Sequence, residues 1–151
     1  MNLAHFHLVS THFAVLGVVF GVLLLLWGRW RGSDDVDRVA LGVLLIATVA
    51  TLPAYFTGAP AERNLKQLVA GIRSETVEQH AEIAQAALAL TLMMGATAFG
   101  GLAVFQRPRP LPASLVKVLV LLAVVSGGFL GWTANLGGRI HHPEIQSRTQ
   151  P

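Results

Sequence analysis

Four runs of about 20 mostly apolar residues, near Leu8 to Gly28, Val39 to Ala59, Ile83 to Phe105 and Val118 to Gly138, contain no Asp, Glu, Lys or Arg. A helix of that length covers roughly 30 Å of hydrocarbon. A soluble bundle would need polar helix faces, and these runs lack them. With 53% hydrophobic and 13% charged residues and a mean hydropathy of +0.58, the chain reads as all-α: an integral membrane four-helix bundle, up-down-up-down, forming a single transmembrane domain over residues 1–151. The bilayer is its first partner.

The segment before the first run, Met1 to His7, has no Lys or Arg, and the run itself is longer than a signal-peptide core, so it reads as a retained first helix. The short connections carry Arg29, Arg31 and Arg38, then Arg107, Arg109 and Lys117. Arg63, Lys66, Arg73, Arg139 and Arg148 are spread more thinly over the opposite side. Basic residues concentrate on the cytoplasmic side, so six against five favours both termini outside, although Asp34, Asp35 and Asp37 dilute the first loop.

Between the second and third runs, Leu65, Leu68, Val69 and Ile72 recur at helical spacing among Arg63, Lys66 and Arg73. This predicts a short interfacial amphipathic helix within residues 57–76, with Pro60 in its first turn. Thr76 and Gln79 have the spacing of a capping box for the third membrane helix. Pro53 should kink the second, and Pro108, Pro110 and Pro112 should stiffen the last connection. No internal repeat of useful strength stands out.

This topology brings all six histidines to one end. His5, His7 and His12 begin the first helix, His80 the third, and His141 and His142 follow the fourth. Imidazole is the side chain best suited to metal or haem iron near neutral pH, and an intramembrane ionisable group is a candidate functional site. At about 100° per residue, His5 and His12 share a face that continues through Leu16, Val19 and Leu23, while His7 points away. Below His80 the third helix presents Ala84, Ala87, Thr91, Met94 and Ala98. Small side chains beneath a histidine leave room for a flat macrocycle, and the first and third helices of such a bundle are diagonal. His12 and His80 are therefore the preferred axial ligands for haem b, with Arg139 to neutralise a propionate and Asn135 to orient a ligand.

Plainer readings stand beside this one. Small faces in membrane helices commonly serve close packing, and His5, His7, His141 and His142, taken singly, read as structural or solvated. A nonhaem transition-metal site from His5, His141, Glu82 and Glu144 is an alternative, since imidazole and carboxylate suit iron, zinc or copper. No Glu lies three residues before a His, which disfavours a diiron carboxylate centre. Glu75, Glu78 and Glu82 form a roughly common acidic face opposite His80. The chain has no cysteine, which excludes thiolate ligands, disulfides and covalent c-type haem. It carries no nucleophile motif, phosphate loop or nucleic-acid stripe, and its pI of about 10.2 reflects a net +3 on few charges.

His5-Phe6-His7-Leu8 with His12-Phe13, Tyr55-Phe56-Thr57-Gly58 with Ala61-Glu62, His80-Ala81-Glu82, and Thr133 through Gly137-Gly138-Arg139-Ile140-His141-His142-Pro143-Glu144-Ile145 together resemble an uncharacterised family of small bacterial four-helix membrane proteins. The resemblance spans nearly the whole chain and is most specific at the Gly-Gly to Pro-Glu-Ile end. It implies the same architecture, histidine-bearing helix ends and a bacterial inner membrane, with both termini on the periplasmic side by the loop charges; it implies no cofactor. Where the family usually reads Asn-His-Phe-Pro, this chain has Thr11-His12-Phe13-Ala14.

Ser10, Ala14, Gly17, Gly21 and Gly28 form a small-residue stripe on the first helix, away from His5 and His12, and Gly127 and Gly131 add a similar pair on the fourth. The stripe fits internal packing, or docking to a second copy or a larger membrane redox complex. Two functions remain: a small cytochrome passing single electrons between a quinol pool or redox enzyme and an outer acceptor, or a cofactor-free accessory or assembly subunit. Neither is an independent enzyme.

Overall fold

The computed structural model describes residues 3–68 and 74–141, with side chains over 5–59 and 75–139. Four α-helices account for nearly all of them: α1 (Leu3–Arg31), α2 (Asp34–Leu68), α3 (Ser74–Val104) and α4 (Ala113–His141). All four are long and apolar enough to cross a membrane. α1 packs on α2 and α4, α3 packs on the same two, and α1 and α3 are diagonal. The expected up-down-up-down bundle is what forms.

The interfacial segment differs from expectation. Residues 57–68 are helical, but as the uninterrupted end of α2, so Pro53 and Pro60 lie inside that helix. At 1.5 Å per residue, the 35 residues of α2 run about 52 Å. The end bearing Arg63 and Lys66 therefore extends past the hydrocarbon. Val69, Ile72 and Arg73 lie outside the described residues. α3 begins at Ser74, two residues before the expected cap at Thr76.

The α1–α2 turn is short because Gly32 adopts a left-handed conformation (φ 62°) that ends α1, with the Ser33 N–H donating to the Gly28 carbonyl at 2.9 Å. Ser33 Oγ then accepts from the Val36 N–H and starts α2. Asp34, Asp35 and Asp37 occupy the first turn of α2, where the positive end of the helix dipole favours them.

Packing assigns the faces. Ser10, Ala14, Val18, Gly21, Leu25 and Gly28 of α1 are buried, whereas Leu16, Val19, Phe20 and Leu23 are exposed. The small stripe is thus the inner face of α1. A Cβ at Gly17 would lie 2.8 Å from Ala47 Cβ, one at Gly21 would overlap Leu44 and one at Gly28 would overlap Asp37, all on α2. A Cβ at Gly127 of α4 would meet Val18 at 3.3 Å, while one at Gly131 would meet nothing. The docking reading has no support from the α1 glycines, which are occupied inside the bundle. On α3, Ala87, Thr91, Met94 and Ala98 are buried as expected. The buried threonine hydroxyls of the core return to their own helix: Thr48 donates to Leu44 and also reaches the Thr91 carbonyl, and Thr91 donates to Ala87. These hydroxyls are satisfied without water, whereas the buried Ser126 hydroxyl of α4 has no partner among the described residues.

The two helix pairs also repeat one burial pattern. Aligning His7 with His80 matches buried Ala14, Val18, Gly21, Leu25 and Gly28 with buried Ala87, Thr91, Met94, Ala98 and Gly101. Aligning Ala54 with Thr133 matches buried Asp37, Ala40, Leu44, Ala47 and Thr51 with buried Val116, Leu119, Ala123, Ser126 and Leu130, and aligns the helix starts Asp34 and Ala113. The α1–α2 and α3–α4 hairpins are therefore two copies of one burial pattern.

Replacing Gly17 or Gly21 with Leu is expected to force α1 from α2 and cost about 1 to 3 kcal/mol per site. Thermal unfolding in detergent should show the loss, with the mass of the folded fraction unchanged.

Candidate functional site at the histidine end

The starts of α1 and α3 and the ends of α2 and α4 meet at one end of the bundle, and two imidazoles are drawn into helix interfaces there. His7, half-buried on α1, places Nδ1 2.7 Å from the Ala54 carbonyl oxygen and 3.3 Å from Thr57 Oγ1 on α2. A carbonyl only accepts, so Nδ1 carries the proton. The Thr57 hydroxyl proton goes to the Pro53 carbonyl at 2.6 Å, which leaves its oxygen to accept from His7. His80, half-buried on α3, donates from Nδ1 to the Thr133 carbonyl of α4 at 3.0 Å.

The two arrangements are equivalent. Each ring lies over a glycine four residues beyond its acceptor carbonyl: a Cβ at Gly58 would sit 3.5 Å from His7 Cε1, and one at Gly137 would sit 3.4 Å from His80 Cε1. The repeat thus extends from packing to hydrogen bonding. A neutral ring held in this way carries its proton on Nδ1, the tautomer of an imidazole ligand whose orientation is set by a carbonyl.

The sequence reading of α1 needs correcting here. His12 is exposed on the outer surface of the helix, its Nδ1 bonded to the Leu8 carbonyl of the same helix at 2.8 Å, with Leu8, Val9, Phe13 and Leu16 around it. His5 is exposed as well. The face chosen for the ligand is the lipid face, and His7, set aside as pointing elsewhere, faces the interior. His80 lies at the α3–α4 interface. His12 and His80 are not brought together. Asn135 is exposed, and the backbone of Thr133 does the orienting assigned to it. Arg139 and Glu82 are exposed at the same end. In the alternative nonhaem set, Glu144 lies outside the described residues, as does the side chain of His141. Among the described residues no group of three or more His, Asp or Glu side chains could hold a metal.

The small stripe itself carried the signal that finds His7. One further step toward the N-terminus from Ser10, at the same helical interval, lands on it.

The opposite end holds a charged clamp that sequence reasoning treated only as loop charge. Asp37 is fully buried between α1 and α2 and pairs with Arg29, whose side chain is 37% exposed. Asp34 accepts from Arg38 Nε at 2.6 Å and from the Leu111 N–H at 2.7 Å. Arg38 also donates to the carbonyls of Phe105 at 2.7 Å and Arg109 at 2.6 Å. Asp35 pairs with Arg107. Charges at the start of α2 thus hold the α3–α4 connection in place.

No family model, curated protein or solved structure matches the chain.

Arg29→Ala would leave Asp37 buried without its cation. Because Arg29 is partly solvated, the cost should fall at the lower end of the roughly 3 to 5 kcal/mol seen when buried pairs are broken. Chemical denaturation should register the loss, and Arg29→Ala combined with Asp37→Leu should recover part of it.

Proposed function

We propose that the protein is a small membrane electron carrier that holds a b-type haem at its histidine end, with His7 and His80 as axial ligands. The observation that carries this reading is their equivalence: two imidazoles on diagonal helices, each with Nδ1 fixed on a neighbouring helix's carbonyl and lying over a glycine. A carbonyl-held Nδ1–H is the usual partner of a ligating imidazole and keeps Nε2 basic. If His7 and His80 both held the haem iron, the group would supply one-electron transfer chemistry. His7 takes the place that α1's outward His12 cannot fill. Arg139, two residues beyond Gly137, supplies positive charge for the propionates. The electron donor is a lipid-soluble quinol or a membrane redox enzyme, and the acceptor is on the histidine side.

The arginine-bearing connections support a topology with that side outside the cytoplasm and both termini periplasmic in a bacterial inner membrane. A reporter active only in the cytoplasm should be silent at either end of the chain. Activity at one of them would reverse the orientation.

Protein purified from haem-supplied cells should show a Soret band that sharpens and shifts on reduction. His7→Ala and His80→Ala should each abolish or strongly alter it, and His12→Ala should leave it intact. Thr57→Val, which removes a second acceptor from His7 only, should shift the reduction potential without loss of haem. A colourless wild-type preparation would remove the proposal.

A further inference from the structure

A groove of about 320 Å³ at the end of α3 is lined by Ala103, Val104, Gln106, Arg107, Pro108 and Arg109. We propose that it is a binding site for an anionic phospholipid, whose phosphodiester is held by Arg109 beside Arg107 and whose acyl chains run along Ala103 and Val104.

Three observations converge on that ligand. The groove straddles the point where the apolar helix gives way to the connection: α3 ends at Val104, which is 62% exposed, and the next residues supply an amide and two guanidinium groups. A ligand filling it must be apolar at one end and polar at the other. The polar half is also pre-ordered. Arg38 holds the carbonyls of Phe105 and Arg109, Asp34 holds the Leu111 N–H, and the Arg109 N–H donates to the Gln106 carbonyl at 2.9 Å. Binding therefore costs little further ordering of the backbone. Finally, the charge is unbalanced. Asp35 answers Arg107 and Asp34 answers Arg38, while the exposed Arg109 side chain makes no ion pair among the described residues.

A guanidinium matches a phosphate oxygen pair in shape as well as charge, and basic pockets at helix ends in the headgroup layer recruit anionic lipids. A soluble phosphate ester offers the same phosphate chemistry. The hydrocarbon-facing wall of Ala103 and Val104 assigns the site to a lipid.

The test uses the full chain in nanodiscs of equimolar phosphatidylglycerol and phosphatidylcholine, with retained lipid read by native mass spectrometry. Phosphatidylglycerol should be retained several-fold over phosphatidylcholine. Arg109→Gln should bring the two near parity at an unchanged unfolding temperature, because the clamp grips the Arg109 carbonyl and not its side chain. Arg31→Gln, on the other connection, should leave the preference in place. Equal retention by the wild type, or a preference surviving Arg109→Gln, would overturn the site. Displacement of bound phosphatidylglycerol by glycerol 3-phosphate would overturn the assignment to lipid.

Discussion

Within a bilayer there is no hydrophobic penalty for leaving a leucine on the outside of a helix, so the interior is chosen by how closely backbones can approach. In α1 this selects Ser10, Ala14, Gly17, Gly21 and Gly28 for contact with α2 and sends Phe13, Leu16, Phe20 and Leu23 to the lipid. Every feature at the histidine end depends on that choice. It turns His7 into the α1–α2 interface, within reach of the Ala54 carbonyl, and leaves His12 bonded only to its own helix.

The two hairpins share a burial pattern but close their ends differently. At the histidine end the copies match, with one imidazole, one carbonyl and one glycine in each. At the other end the match fails in a way that holds the halves together. Asp34, Asp37 and Arg38 in the first hairpin align with Ala113, Val116 and Lys117 in the second. The first hairpin's charges reach across to carbonyls and an N–H of the second hairpin's connection. The asymmetric end supplies the fixed closure, so the first hairpin's polar residues serve both hairpins.

Much of the architecture was legible because length and the absence of charge are strong signals. The four spans, the shared end of His5, His7, His12 and His80, and the inner face of α3 all followed from the sequence. The inner face of α1 differs from the one that the shared spacing of His5 and His12 suggested, because close backbone packing puts the small stripe there. The small stripe was set on the side away from His5 and His12, where it fitted internal packing or docking, and the α1 glycines pack against α2. The repeat escaped notice because its copies share few identical residues: Leu25 answers Ala98 and Leu44 answers Ala123, so size is exchanged while burial is kept. The clamp was invisible for another reason. Asp34 and Arg38 act on backbone groups more than 60 residues away, and spacing along one helix cannot reveal such partners.

The absence of cysteine from the chain permits a direct measurement of which side of α1 faces lipid. Single cysteines placed in turn from residue 7 to residue 23 and spin-labelled in bilayers would report oxygen accessibility position by position. Maxima at 12, 16, 19 and 23, with minima at 10, 14, 18 and 21, are the predicted pattern, with position 7 shielded. Maxima at 10, 14, 17 and 21 would place the small stripe in lipid and His12 inside, contradicting the account at its base.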